Sequence, residues 1–281
     1  MRFVLTIFIL IPLSVFAQSS SFNFHSLENI KKFADHLFCE GDYLRAIEQY
    51  ELMGNNLFND TIQFKIMLGF SELNLYQNSN EVVKNISTES KFFFDAFLLS
   101  MKNKLLIEPK PLSIYESHKI ETEYFRRMNK LISTSMLYDK NFSLTKKNIT
   151  SPFDESEKEI ISKFYDLKMN PPYKSSALAG LISAVVPGSG KMYVGEWGDG
   201  ITAFLVTGLL AFLAYDNFQA DHTTRAWIFS GLGAFFYAGN IYGSIAAAQI
   251  FNAKVDFDFN NGLKFFLEEY NYFVPDYDFC N

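Results

Sequence analysis

Residues 197–215 read WGDGITAFLVTGLLAFLAY, and residues 227–250 read WIFSGLGAFFYAGNIYGSIAAAQI. Both runs are apolar, rich in small residues and nearly free of charge, which is typical of membrane-embedded helices. As helices they would be about 28 Å and 36 Å long, enough to cross a hydrocarbon core of about 30 Å. Trp197 and Trp227 each begin a run, so antiparallel helices would place them at opposite interfaces, where indole rings are favoured. The pattern predicts a transmembrane helical hairpin.

Small residues predict how the two helices pack. They recur at helical spacing on two faces, one made by Ala203, Thr207 and Ala211 and the other by Gly239, Gly243 and Ala247. Because small faces permit close backbone contact, we expect the two faces to meet within the hairpin. The alternative is that the glycine face drives self-association into a homo-oligomer.

Asn240 is the polar residue that stands out in the second run. An amide within a span must find a partner, and Tyr193, Ser183 or a backbone carbonyl could supply it. We interpret Asn240 as a structural contact between helices, with a substrate contact as the alternative.

A third apolar stretch, residues 175–186, precedes the hairpin. Its roughly 12 residues would make about 18 Å of helix, too short to span alone. It predicts a half-span or an interfacial helix, or a full span only if the break at Pro187 is shielded within the membrane.

The turn after this stretch carries five residues in fixed positions: Pro187, Gly188, Gly190, Tyr193 and Gly195. Together with the Asn and Tyr of the last span, this Pro-Gly-x-Gly-x-x-Tyr-x-Gly turn resembles that of bacterial membrane-hairpin domains of uncharacterised function. The resemblance covers residues 173–253. It implies a membrane-embedded domain attached to a variable soluble region, and it supplies no catalytic residues.

Residues 1–17 have one positive charge, a short apolar run and small residues at the end, which predicts a cleaved secretory signal peptide. The alternative is an uncleaved anchor. Residues 18–170 then show helical spacing of apolar residues, separated by Asn, Ser and Gly clusters. We therefore expect an all-α exported region that ends at the stiff pair Pro171 and Pro172.

One helical hairpin can be placed within that region. Five residues mark its turn and its packing face: Gly41, Tyr43, Ala46, Ile47 and Tyr50. The segment resembles a tetratricopeptide repeat. A weaker second copy would consist of a first helix over residues 68–76 and a partner helix over residues 81–86. A third unit would begin at Phe92. The resemblance covers about residues 30–105 and implies a groove that holds a peptide or partner domain. The alternative is that the aromatic residues only pack the helices together.

The predicted tail, residues 254–281, is acidic and aromatic, and it either docks on the helical domain or frays. Cys39 and Cys280 could form a disulfide if the tail is exported. Because Cys39 lies in a helix that we predict to be buried, a free thiol is favoured.

Several functions are excluded by composition and motif. The net charge of -6, without any basic run, argues against a nucleic-acid partner. Gly188, Gly190 and Lys191 do not satisfy the phosphate-loop spacing, and the four histidines show no metal-ligand spacing. We therefore expect no enzyme, no metal and no cofactor.

The sequence favours a bacterial inner-membrane protein with its helical domain in the periplasm. We expect a scaffold or adaptor that holds a protein or peptide partner and is anchored among membrane lipids. The alternative is an oligomeric hairpin that takes part in envelope transport, protein insertion or lipid handling.

Overall fold

Helices make up the regular structure of this chain. The computed structural model describes residues 26–54, 59–112, 122–269, 272–275 and 277–280, and these residues form helices and no strand. The all-α fold class is therefore confirmed. The predicted signal peptide lies outside the described residues.

The chain divides into two units that interleave along the sequence. Unit 1 comprises the residues up to Phe92 together with Tyr277–Asn281, and unit 2 comprises Phe93–Asp276. The C-terminal segment thus belongs to the same unit as the first helices.

Unit 1 contains two helical hairpins. The first pairs α1 (Leu27–Cys39) with α2 (Tyr43–Glu51), and the second pairs α3 (Asp60–Glu72) with α4 (Tyr76–Val82), which a short 3-10 turn (Val83–Asn85) follows. Side-chain oxygens cap three of these helices by accepting from backbone N–H groups, and the caps are Ser26, Asp42 and Asn59. Such caps explain where the helices begin.

The turn of the second hairpin lies earlier than the sequence predicts. The helix predicted over residues 68–76 ends at Glu72, and the next one begins at Tyr76. Asn74 occupies the left-handed region with φ 59°, a conformation that Asn tolerates better than most residues. Asn74 therefore lies in the turn, which falls inside the helix that the sequence predicts over residues 68–76.

The C-terminal segment is joined to α1 by a disulfide between Cys39 and Cys280, whose Cα atoms are 5.6 Å apart. The prediction that Cys39 keeps a free thiol is therefore wrong. The reason is its position, because Cys39 is the last residue of α1 and is exposed instead of buried.

The first half of unit 2 contains α5 (Phe93–Ile107), α6 (Thr122–Met136), α7 (Lys146–Thr150) and α8 (Glu155–Met169). Buried ion pairs fix α6 between its neighbours. Arg127 on α6 lies 2.8 Å from the Asp95 carboxylate of α5, and Lys130 lies 2.7 Å from Glu157 of α8.

The second half contains α9 (Ser176–Val185), α10 (Ser189–Tyr193), α11 (Trp197–Gln219) and α12 (Thr223–Glu269). Residues 254–269 of the predicted tail are therefore helical. At 47 residues α12 is about 70 Å long, more than twice the thickness of a hydrocarbon core of about 30 Å. Its C-terminal part packs on α8, with the Phe164 and Phe266 ring centroids 6.1 Å apart.

Candidate functional site

The predicted repeat residues lie at the first hairpin of unit 1. Gly41 adopts φ 78°, which glycine permits without strain, and the turn lets α2 pack back on α1. Ala46, Ile47 and Tyr50 are buried on the packing face of α2. Tyr43 makes an edge-to-face ring contact with Phe38 of α1, with centroids 5.3 Å apart.

A polar network around Asp35 connects three helices of unit 1. Its carboxylate accepts hydrogen bonds from Tyr50 of α2 at 2.6 Å and from Lys65 of α3 at 2.7 Å, and Lys31 lies 2.6 Å away. Burial alone would raise the pKa of the Asp35 carboxyl, but the bonds from Lys31, Lys65 and Tyr50 outweigh burial and hold that pKa below its usual range. Burial, reinforced by Asp35, raises the pKa of the Tyr50 hydroxyl. Asp35 is therefore a fixed anion and Tyr50 a fixed donor.

The C-terminal segment lies on a group of side chains that we call the tail site, made by Phe38 of α1, Phe64 and Lys65 of α3, and Phe92. The Tyr277 ring centroid is 5.2 Å from that of Phe64 and 5.3 Å from that of Phe92.

The contacts of Phe279 complete the tail site. Its ring lies 6.1 Å from Phe38, and the Lys65 ammonium lies 5.0 Å from the Phe279 centroid. Lys65 therefore connects the tail to the Asp35 network.

The predicted membrane turn forms α10 and the bends on either side of it. Gly188 adopts φ 87°, and a Cβ there would collide with the backbone carbonyl of Gly200 at the start of α11. A Cβ at Gly190 would collide with the Ala179 carbonyl and would lie 2.7 Å from Ser183 Oγ. These glycines are required because the backbones of α9, α10 and α11 approach each other closely.

The other predicted turn residues have different roles. Gly195 adopts φ 94° in open space. The Tyr193 hydroxyl accepts a hydrogen bond from the backbone N–H of Ser175 at 3.4 Å, and the Lys174 ammonium lies 4.8 Å from its ring centroid. Pro187 is partly buried directly before the turn.

A serine pair joins α9 to α12. Ser183 Oγ and Ser244 Oγ are 2.7 Å apart, and Ser183 Oγ also accepts from the Gly190 N–H at 2.9 Å. Both serines are fully buried. Their hydrogen bonds satisfy the polar groups at this helix contact.

Asn240 has no such partner. It is 7% exposed, and neither its Oδ1 nor its Nδ2 makes a hydrogen bond to Ser183, Tyr193 or any other described residue. A buried polar group left in this state costs about 1–3 kcal/mol.

The two predicted packing faces border a common cavity instead of making the close backbone contact that we expect, since a Cβ at Gly239 would meet no atom within 4 Å. Ala203 and Thr207 share a cavity with Gly239 and Asn240, and Ala211 lines a second, smaller one between α11 and α12. The other two residues of the α12 face turn to different neighbours. A Cβ at Gly243 would lie 3.4 Å from Cε of Lys191, and Ala247 packs in a cluster with Ala179, Val194 and Ala248.

The cavity at Asn240 has a volume of about 440 Å³, within the usual range of ligand pockets. Lys191, Asp199, Thr202 and Asn240 contribute polar groups to its wall. The Lys191 ammonium lies 3.8 Å from the Asp199 carboxylate. Sequence reasoning singled out Asn240 but assigned no role to Lys191 or Asp199, although a lysine and an aspartate beside an apolar run were the available signal.

Large apolar side chains cover the outer surface of α9, α11 and α12. The exposed residues include Leu181, Val185, Leu205, Leu209, Phe212, Phe235 and Ile250. Among the described residues, α11 is the one helix long and apolar enough to cross a membrane, and only 11% of its most apolar window is buried within the molecule.

The tail docks on the helices of unit 1, one of the two outcomes that the sequence allows, but the sequence did not identify the residues that receive it. Phe64 and Phe92 are far apart in the sequence and resemble ordinary core residues. The aromatic residues of the tail are the sequence feature that points to such a site, because aromatic rings are stabilised by packing against other apolar side chains.

Comparison with protein-family models, characterised proteins and solved structures found no match to this chain.

Proposed function

We propose that this chain is a membrane-anchored scaffold whose unit 1, of tetratricopeptide-like hairpins, holds a protein or peptide partner. The observation that carries the proposal is the tail site. There unit 1 already holds a short segment of the chain, Tyr277–Cys280, by ring contacts and a cation–π contact. A surface that accommodates this segment can accommodate another of the same chemistry.

The chemistry of the tail defines the expected partner. Tyr277 and Phe279 are two positions apart and their rings stack with centroids 5.5 Å apart, so both face the tail site. We therefore expect a partner with two aromatic residues separated by one residue, which displaces the tail or takes its place.

The exposed apolar surface of α9, α11 and α12 supports the membrane anchor. Soluble proteins rarely expose contiguous apolar patches of more than a few hundred Å². On α11 alone, Ile201, Leu205, Leu209 and Phe212 are all exposed. Lipid chains would cover this surface.

The disulfide supports a hairpin. Cys39 and Cys280 are bonded, so they lie on the same side of a membrane, and the chain between them must cross it an even number of times. If α11 crosses once, a second crossing is required, and the apolar part of α12 can supply it.

The same disulfide supports export. Disulfides persist in oxidising compartments such as the bacterial periplasm and are rare in the cytosol. We therefore place unit 1 on the periplasmic face of a bacterial inner membrane, in agreement with the signal peptide that the first 17 residues predict.

A peptide-binding assay tests the scaffold proposal. The protein is purified in mild detergent in two forms: the unmodified chain, and an open form that carries Cys39→Ser and ends at Pro275. The probe is a fluorescent peptide of residues 272–281 with Cys280→Ser, followed by anisotropy. We expect saturable binding to the open form and little to the unmodified chain, whose tail site is occupied.

A peptide with Tyr277→Ala and Phe279→Ala is the matched control and should not bind. Circular dichroism before and after tail removal establishes that the open form keeps its helices. A folded open form that fails to bind the probe, or that binds both peptides equally, would contradict the proposal.

A further inference from the structure

The cavity between α10, α11 and α12 changes character along its length. Lys191 comes from α10 and Asp199 from the first turn of α11, which Trp197 begins, whereas Val206 lies about two turns further along α11. On α12, Phe235 and Phe236 lie about one turn from Asn240. From Asp199 to Thr207 the helix rises about 12 Å. A polar end beside an interfacial tryptophan and an apolar end deeper in the span match the two parts of an amphiphile.

Asn240 supplies the strongest indication of a ligand. Its amide can donate two hydrogen bonds and accept at least one, and the protein uses none of them. Neighbouring polar groups are satisfied within the chain, as Ser183 and Ser244 are by each other and as the Tyr237 hydroxyl is by the Ala184 carbonyl. The unused bonds of Asn240 are therefore a local exception, at a buried residue that forms part of the cavity wall.

Lys191 is held where it can act with Asn240. Its side chain lies against the backbone of α12 at Gly243, where the absence of a Cβ leaves room for it. The Lys191 side chain is only 22% exposed, whereas that of Asp199 is 72% exposed. The cation therefore lies inside the cavity and the carboxylate lies at its mouth.

The apolar end is open. Phe235 is 75% exposed, and a Cβ built on Gly239 would meet no atom within 4 Å. One water fills about 30 Å³, so a cavity of about 440 Å³ has room for far more than a water bound to Asn240.

We propose that this cavity binds one zwitterionic phospholipid. The phosphate accepts hydrogen bonds from Lys191 Nζ and Asn240 Nδ2, the headgroup ammonium faces Asp199, and an acyl chain lies over Phe235 and Phe236. Charge-assisted bonds from a lysine suit a phosphate, and the paired carboxylate suits a headgroup that also carries an ammonium. This site is distinct from the tail site, and it rests on the proposed membrane anchor but not on the proposed peptide binding.

Lipid binding to the full-length protein tests the proposal. The protein is purified in dodecyl maltoside, stripped of lipid and titrated with dihexanoylphosphatidylethanolamine, and bound lipid is counted by native mass spectrometry. We expect one saturable site. Asn240→Leu, Lys191→Met and Gly239→Leu, which fills the cavity, should each weaken binding by about tenfold or more. Gln249→Leu, the same amide-to-leucine change at an exposed position of α12, should leave binding unchanged.

Thermal unfolding provides a second readout. The lipid should raise the Tm of the unmodified protein and of Gln249→Leu, and it should fail to raise that of Asn240→Leu. Because the amide makes no bond in the empty protein, Asn240→Leu should itself unfold at the same or a higher temperature without lipid.

Two results would overturn the inference. If Asn240→Leu and Gly239→Leu bind the lipid as well as the unmodified protein does, the cavity is not the lipid site. If glycerophosphoethanolamine, which has the headgroup and no chains, or inorganic phosphate binds as tightly as the lipid, the ligand is a soluble phosphate compound and not a membrane lipid.

Discussion

At the scale of single residues, Lys65 is the connection between α1, α3 and the C-terminal segment. Its side chain is only 6% exposed, and it binds Asp35 and lies over the Phe279 ring. We predict that Lys65→Met destabilises unit 1 by about 1–3 kcal/mol, because Asp35 loses a charged partner in a partly buried position. Urea-induced unfolding of unit 1, followed by proteolysis at low protease concentration, measures the change. Lys32→Met, which removes an exposed cation from the same unit, should change it by less than about 0.5 kcal/mol.

Asp35 also predicts how unit 1 responds to acid. Its pKa is lowered in the folded protein, so the free energy of unfolding that it contributes is fully present above its unfolded pKa of about 3.9. That contribution decreases as the pH falls through the lowered pKa. We expect hydrogen exchange in α1–α3, corrected for its intrinsic pH dependence, to increase below about pH 4. Asp35→Asn should remove most of this change, and an unaltered acid response would show that other carboxylates govern it.

Glycines of the membrane turn give a prediction with an internal control. Gly190→Ala and Gly188→Ala place a Cβ against a backbone carbonyl that cannot move independently. We expect each to destabilise the folded protein by about 3 kcal/mol or more, since overpacking and backbone strain add. Gly208→Ala, on α11 with open space around it, should cost nothing and add up to about 1 kcal/mol of helix propensity. Thermal unfolding in detergent compares the three variants.

Some of these residue roles could be predicted and others could not. Gly41 and Ala46 follow from local rules, since a tight turn and a close helix contact need small residues. The turn at Asn74 follows a weaker rule, because Asn tolerates the left-handed region without requiring it. The missing partner of Asn240 could not be read from sequence at all, since it depends on which groups α9 and α10 bring near.

At the scale of helices, the exposed surface of α11 predicts the effect of an inserted charge. Leu209 is 57% exposed near the middle of this helix. We expect Leu209→Lys to disfavour insertion by roughly 2.5–3.5 kcal/mol, whereas Asp221→Lys in the turn before α12 should have little effect. Alkaline carbonate extraction of membranes compares the two. Equal extraction of both variants and the unmodified protein would show that α11 does not face lipid.

Helix existence was easier to predict than helix ends. Composition and apolar spacing identify α11 and the short α9, because both follow from the residues themselves. The apolar pattern predicts a span that ends at Ile250 and an acidic tail from residue 254. Helix α12 continues to Glu269 because Leu263, Phe266 and Leu267 are buried there, and that tertiary packing is not visible in a hydropathy pattern.

At the scale of the whole molecule, the disulfide predicts a difference in mobility. Cys39 and Cys280 are 241 positions apart, so the bond closes most of the chain into one loop. We expect the unmodified protein to migrate faster than Cys280→Ser on a non-reducing denaturing gel, and the two to migrate alike after reduction. Loss of the bond should cost unit 1 about 2–5 kcal/mol. Identical migration without reductant, with both thiols open to alkylation, would contradict the pairing.

The pairing itself was beyond sequence reasoning for a physical reason. Two cysteines carry no information about distance when the intervening chain folds into a separate unit. The predicted signal peptide indicates an oxidising compartment, but it does not show that the C-terminal segment folds with the first helices, which is what brings Cys280 to Cys39.

The interleaved order also has a consequence for how the protein is made. Phe64 and Phe92 are synthesised early, but Tyr277 and Phe279, which cover them, follow only after all of unit 2. A nascent chain therefore carries an uncovered aromatic surface until translation has passed Cys280. During that interval a holdase chaperone could recognise the chain, and an oxidase would find Cys39 without its partner. Unit 1 can therefore be completed only after Tyr277–Cys280 have been translated and have entered the same compartment.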